Sequence, residues 1–160
     1  MATPYEKIYN RFSQKITDFN LVELDNDSLG EMLLGWLNSA IVRIRRCKHD
    51  LTKRDDELLE FAEDLSDIEL ELLAMGMVDS WTSQYLNSTE NVLQMLGGKE
   101  EKFYSQASHM AEIRSIKEEN LREMNRLHNY YTYTNNFLTS LKNLFLEGLK
   151  HLVPLTVGRL

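Results

Sequence analysis

Apolar residues recur every three or four positions along most of this chain, which is the spacing of α-helices that pack one face on a core. The longest run extends from Gly98 to about Tyr133, with no proline and no further glycine. At about 1.5 Å per residue it predicts a helix about 50 Å long, which must lie against other helices. Its apolar stripe consists of Phe103, Ala107, Met110, Ile113, Ile116, Leu121, Met124, Leu127 and Tyr131.

Shorter helical segments precede this run. The first is predicted from about Pro4 to Thr17, and its apolar face consists of Tyr5, Ile8, Tyr9, Phe12 and Ile16. The segment after Ser28 is apolar on most sides, so we expect it at the centre of the bundle, with Gly35 allowing a neighbouring backbone to approach. The pattern predicts a short helix over 55–65, and it predicts that the following helix ends at 87–89. Three helices are predicted to begin at capping boxes, in which a Ser or Thr precedes a Glu by three residues. The boxes are Thr3 with Glu6, Ser28 with Glu31, and Ser66 with Glu69.

The last part of the chain forms a separate unit in this interpretation. Asn135 and Asn136 predict a break, an amphipathic helix follows, and Pro154 ends it before an apolar tail. The predicted fold class is all-α: a helical bundle domain over 1–136, including the long helix 98–133, and a C-terminal helix with an extended docking tail over 137–160. The candidate partner-binding residues are Phe137, Leu141, Leu144, Phe145, Leu149, Leu152, Leu155, Val157 and Leu160.

Charge and composition narrow the classes of function. The formal net charge is −7, so we do not expect this protein to bind nucleic acid by broad neutralisation of the phosphates. Cys47 is the single cysteine, which rules out an intrachain disulfide and fits a reducing compartment or a particle assembled in one. Neither a signal-peptide core at the N-terminus nor an apolar run of membrane-spanning length is present, so we expect no membrane span.

The charges are segregated along the chain. A basic cluster between Arg43 and Arg54 is followed by an acidic block from Asp55 to Asp79. The ordinary interpretation is a helix C-terminus stabilised by cations and a solvated acidic face. The alternative is that the basic cluster is a docking patch for an acidic partner or a DNA-facing ring, and that the acidic block matches a basic ring on a partner or a neighbouring copy. If the two charged segments meet across subunits, exchanging Arg45 and Arg46 for Glu should prevent ring formation at moderate salt. The candidate residues for this contact between subunits are Arg43, Arg45, Arg46, Lys53, Arg54, Asp55, Asp56, Glu57, Glu60 and Glu63.

The sequence nominates no catalytic or metal site. A di-iron bundle needs Glu-x-x-His pairs, and none of the four histidines has a Glu three residues before it. Zincin, Cys-x-x-Cys, phosphate-loop, Gly-x-Ser-x-Gly and EF-hand patterns do not occur. We therefore predict a non-enzymatic interaction protein with no cofactor.

Several stretches resemble one known family. They are TPYEKIYNRF, LLGWLNSAIVRIRRC, DLTKRDDELLEFAEDLSDIELELLAMGMVDSW, GGKEEKFYSQASHMAEIRSIKEEN and YYTYTNN, and together they cover about Thr3 to Asn136. In overall pattern they are similar to head–tail connector proteins, also called adaptors or neck proteins, of tailed bacteriophages that infect Gram-positive hosts.

The resemblance implies a helical virion protein, assembled in the host cytoplasm and located at the head–tail interface. Such subunits form a ring, commonly twelve-fold, beneath the portal protein, and present a platform for the next neck or tail protein. DNA passes through the ring without specific binding. By position, the docking role on the portal falls on 137–160. The alternative hypothesis is a cytosolic all-α regulator or scaffold that acts by protein–protein binding.

Overall fold

The structure, a computed structural model, describes residues 2–16, 25–44, 47–96 and 100–152, with side chains described in 2–16, 25–44, 47–88 and 108–147. It is 75% helical, which confirms the predicted all-α class. A small antiparallel sheet of order β1-β3-β2 accompanies the helices. The elements are β1 (Thr3–Pro4), α1 (Glu6–Ser13), α2 (Asn26–Arg43), β2 (Arg54–Asp55), β3 (Glu60–Phe61), α3 (Asp67–Leu96) and α4 (Glu100–Leu152).

The central helix is α3 rather than the predicted α2. It packs against α1, α2 and α4, and every residue from 72 to 80 is buried. Small residues make this possible, because a Cβ added to Gly76 would lie 2.7 Å from the Cβ of Ala40 on α2. Gly35, the predicted point of close approach, has nothing within 4 Å of its own added Cβ. Helix α2 still buries Trp36 and Leu37 in the core.

The predicted face of α1 is confirmed. Tyr5, Ile8 and Phe12 are fully buried or nearly so. The ring of Phe12 packs on Trp36 with 5.5 Å between centroids, which joins α1 to α2. The Nε1 of Trp36 donates to Oε1 of Gln84, 2.7 Å away, and so ties α2 to α3.

Of the three capping boxes, one is confirmed. Ser66 and Glu69 bond reciprocally at the start of α3, with Ser66 N donating to Glu69 Oε2 (2.8 Å) and Glu69 N donating to Ser66 Oγ (3.4 Å). Helix α2 is capped three residues earlier than predicted, by Asp25, whose Oδ1 accepts from Ser28 N. Thr3 caps no helix, because its buried hydroxyl bonds the backbone of residues 63 and 65 across the sheet.

The predicted short helix at 55–65 is wrong. Asp55 Oδ1 accepts from the backbone N–H of Glu57 and Leu58, both 2.9 Å away, which satisfies this backbone in a turn. Leu59 has a φ of 54°, outside the helical region. The strand that follows pairs with β1 at the chain's start, and Phe61 is buried there. A long-range pairing therefore overrides the helical spacing of the leucines.

Both predicted helix breaks are wrong as well. Helix α3 continues through 87–89 to Leu96, and α4 continues through Asn135 and Asn136 to Leu152. An asparagine inside a helix lowers the stability of that helix by well under about 1 kcal/mol, which is too little to end the helix. The long helix is confirmed and is longer than predicted, because the C-terminal helix is its continuation. Pro154 and the apolar tail lie outside the described residues.

Helices α3 and α4 form an antiparallel pair. Glu69 near the start of α3 bonds Tyr131, while Ser83 further along α3 bonds Lys117, earlier on α4. Tyr131 is the last buried side chain of α4 among those described, and every described residue from 136 to 147 is exposed. We call residues 132–152 the arm. At about 1.5 Å per residue it extends about 30 Å past the start of α3.

Candidate interaction surface

The four C-terminal candidates whose side chains the structure describes lie on one exposed face of the arm. The exposed fractions of Phe137, Leu141, Leu144 and Phe145 are 55%, 48%, 72% and 74%. At 100° per residue, three further apolar side chains fall on the same side of the helix. We call the full set the arm face. It consists of Tyr130, which immediately precedes the arm, and of Tyr133, Phe137, Leu138, Leu141, Leu144 and Phe145. The side chains of Leu149 and Leu152, and all of Leu155, Val157 and Leu160, lie outside the described residues.

The candidate set predicted from the sequence does not contain Tyr130, Tyr133 or Leu138. They are exposed by 63%, 77% and 56%. The signal that unites them was present in the sequence, since the three-to-four spacing continues from Tyr130 across the two asparagines. The predicted break at those asparagines concealed it.

Several charged candidates pair within the chain. Lys53 Nζ lies 3.4 Å from Glu63 Oε1, and Arg54 Nε lies 3.1 Å from Asp56 Oδ1. These contacts are largely exposed, so each is expected to contribute less than about 1 kcal/mol. The remaining acids of the set, Asp55, Glu57 and Glu60, lie in or beside the β2–β3 turn.

Arg43, the first of the basic candidates, forms an ion pair with Asp79 on α3. Asp79 is fully buried, and Lys117 Nζ from α4 lies 3.7 Å from its other oxygen. Asp79 therefore lies between a guanidinium from α2 and an ammonium group from α4. The arrangement joins α2, α3 and α4, which gives Arg43 a partner inside its own chain. Arg45 and Arg46 lie outside the described residues.

Among the side chains that the structure describes, Glu69 is the most densely bonded polar group, and it is fully buried. Tyr131 Oη donates to its Oε1 over 2.6 Å, and Ser66 donates to its Oε2 through both N and Oγ. The Nδ1 of His49 lies 2.8 Å from Oε2, and Cys47 Sγ lies 3.3 Å from Oε1. Burial alone would raise the pKa of Glu69, but the hydrogen bonds from Tyr131, Ser66 and His49 outweigh it and lower this pKa to about 2.

This network holds the root of the arm. Tyr131 Oη also accepts from the backbone N–H of Lys48 at 2.8 Å, so the phenol bridges the loop after α2 to the start of α3. Burial and the bond to Glu69 raise the pKa of Tyr131. Its hydroxyl therefore stays protonated and keeps donating, which fixes where α4 leaves the bundle.

The neighbouring thiol is not arranged for nucleophilic chemistry. Burial and the adjacent Glu69 carboxylate raise the pKa of Cys47 to about 12. A reactive cysteine needs the opposite environment, because the thiolate is the nucleophile. A cavity of about 380 Å³ lies beside it, lined by residues of the end of α2 and the following loop, among them Ile44, His49 and Leu51.

Among the side chains that the structure describes, no group of three or more His, Cys, Asp and Glu is arranged to hold a metal ion. Within the same residues, no helix combines the length and the apolarity that crossing a bilayer requires. Comparison with protein-family models, with curated proteins and with solved structures finds no significant match.

Proposed function

We propose that this protein is a structural subunit of a bacteriophage head–tail connector. In this proposal its copies form a ring beneath the portal protein, extend the DNA channel and present a platform for the next neck or tail protein. The family resemblance suggests the system, and the exposed arm is the observation that supports it best. A helix that leaves its own bundle with an uncovered apolar face is suited to docking on a larger assembly.

The arm supplies the portal contact in this proposal. Phe137, Leu141 and Leu144 follow one another at helical spacing, so they can enter an apolar groove of a partner as successive anchors. Rigid anchors reduce the entropy lost on binding, because the helix is already formed. The bonds of Tyr131 to Glu69 and Lys48 fix the angle at which these anchors are presented.

The acidic balance of the chain suits a subunit around a DNA channel. A net charge of −7 leaves phosphates without broad neutralisation, so DNA can slide without being retained. The proposed virion location at the head–tail interface follows from this role. No enzymatic step and no cofactor are part of it.

The test is mass photometry of the purified protein with and without a portal protein from the same genome. A discrete, ring-sized species that appears only with the portal supports the connector. The variant Phe137→Glu/Leu141→Glu/Leu144→Glu should not form it. The matched variant Asn136→Glu/Thr139→Glu/Asn143→Glu adds the same charge to the opposite side of the arm and should form it. A wild-type protein indifferent to the portal would favour the regulator or scaffold alternative.

A further inference from the structure

We propose that, in the free protein, the arm face is covered by the arm face of a second copy, so that the resting form is an arm-to-arm dimer. This inference deepens the proposed function, because it names the partner that occupies the docking surface before the portal does. The dimer itself does not depend on the proposed function. Only the statement that the portal later takes the place of the second copy rests on it.

The exposed area matches what a dimer needs. The side chains of the arm face are between 48% and 77% exposed. With aromatic side chains contributing about 150–250 Å² each, their exposed surface is about 900 Å². A stable interface buries about 800 Å² on each partner. The largest apolar patch of a typical monomer is about 300–600 Å², so this face is larger than one chain ordinarily leaves in water.

The spacing along the arm favours another helix as the partner. Tyr130, Thr134, Phe137, Leu141 and Leu144 are separated by four, three, four and three residues. This alternation averages 3.5 residues, and it keeps one seam facing a partner helix over several turns. Apolar side chains also flank the seam, which widens the surface that a second helix can cover.

The charges favour a copy of the same chain. Between residues 130 and 147, the ionised side chains at neutral pH are Lys142 and Glu147, one of each sign. At 100° per residue, neither falls on the seam. An uncharged seam is complementary to itself, because no like charges are brought together when two copies meet.

The acidic bundles do not oppose this pairing. When two arms pair antiparallel, the two bundles lie at opposite ends of a seam about 30 Å long. The Debye length at physiological ionic strength is about 8 Å, so repulsion between the two bundles is largely screened over that distance. We therefore expect a dimer whose stability changes little with salt. An interface built from the Arg43–Arg54 and Asp55–Asp79 charges would weaken as salt rises.

The test is sedimentation of the purified full chain over a concentration series, without portal. We expect a dimer at micromolar concentration for the wild type and for Asn136→Glu/Thr139→Glu/Asn143→Glu. In Phe137→Glu/Leu141→Glu/Leu144→Glu, the apparent dissociation constant should rise at least tenfold. The single substitution Leu141→Glu should act in the same direction. Because all of these positions are exposed on the arm, circular dichroism should show the bundle folded in each variant.

Three results would overturn the arm-to-arm dimer. The first is a wild-type monomer throughout the series, and the second is a dimer that survives in the arm-face variant. The third is equal weakening in both triple variants, because added charge rather than the arm face would then be responsible. Portal binding is read out separately, so failure of the connector leaves the dimer result unaffected. If both hold, added portal should dissociate the dimer.

Discussion

Replacing Glu69 by Gln tests whether the root of the arm is held by a buried carboxylate. The hydrogen bonds to Glu69 lower its pKa from 4.5 to about 2. At about 1.4 kcal/mol per pKa unit, this shift corresponds to about 3 kcal/mol of stability. The glutamine amide can accept through only one atom, while Tyr131 and Ser66 donate to different oxygens. We therefore expect Glu69→Gln to cost about 3 kcal/mol at neutral pH.

The pH dependence gives a second, sharper readout. Because the folded-state pKa lies below the unfolded-state value, the contribution of Glu69 is complete above about pH 5 and is lost as the pH falls toward 2. About 2 kcal/mol of it should be gone at about pH 3. Glu69→Gln cannot titrate, so the gap between the two proteins should narrow by that amount.

Urea unfolding followed by far-UV circular dichroism at several pH values measures both effects. Glu71→Gln is the matched control, since it lies on the same helix and pairs with Arg11 and Lys15 at a partly exposed position. It should cost less than about 1 kcal/mol. Parallel pH profiles for the wild type and Glu69→Gln would refute the reasoning, as would a neutral-pH cost no larger than that of the control.

Three other contacts predict measurable effects. Gly76→Ala should lower the free energy of unfolding by about 1–2 kcal/mol, because the new methyl group meets α2. Gly35→Ala should raise the free energy of unfolding by about 1 kcal/mol. Shifts of the two unfolding temperatures in the same direction would contradict this. In urea titrations, Arg43→Met should cost about 3 kcal/mol, more than Asp79→Asn, because it leaves a buried carboxylate poorly paired; the reverse order would be inconsistent with that account. The raised pKa of Cys47 should make alkylation by iodoacetamide near neutral pH at least about a hundredfold slower than in the urea-unfolded chain, and equal rates would disprove the shift.

The helical spacing of apolar residues determined most of the architecture by itself. Periodicity in the sequence is a local property, and it correctly identified the face of α1, the long helix and the all-α class. The Ser66 and Glu69 capping box was also readable, because both partners lie within four residues of each other. The exposed side chains of Phe137, Leu141 and Leu144 lie on one face of the arm, as their spacing required.

Features that depend on residues far apart in the chain follow from the packing of the folded protein. The strand at Glu60–Phe61 forms because β1 near the N-terminus pairs with it. No residue within 55–65 indicates this pairing. Asp79 and Arg43 meet because α2 and α3 pack together, so charges that sequence assigned to separate surfaces pair inside one chain. Whether Asn135 ends a helix is a balance of fractions of a kcal/mol, which sequence spacing does not resolve.

The hydrogen bonds of Glu69 depend both on local sequence spacing and on the packing of the helices. The sequence placed Glu69 at a helix start and Tyr131 on the apolar stripe of the long helix, and both placements are correct. Their hydrogen bond joins residues 62 positions apart, and it exists because α3 and α4 run antiparallel. Local spacing therefore specified which faces the helices present. The packing of three helices around small residues of α3 specified which polar groups meet, and where the arm leaves the bundle.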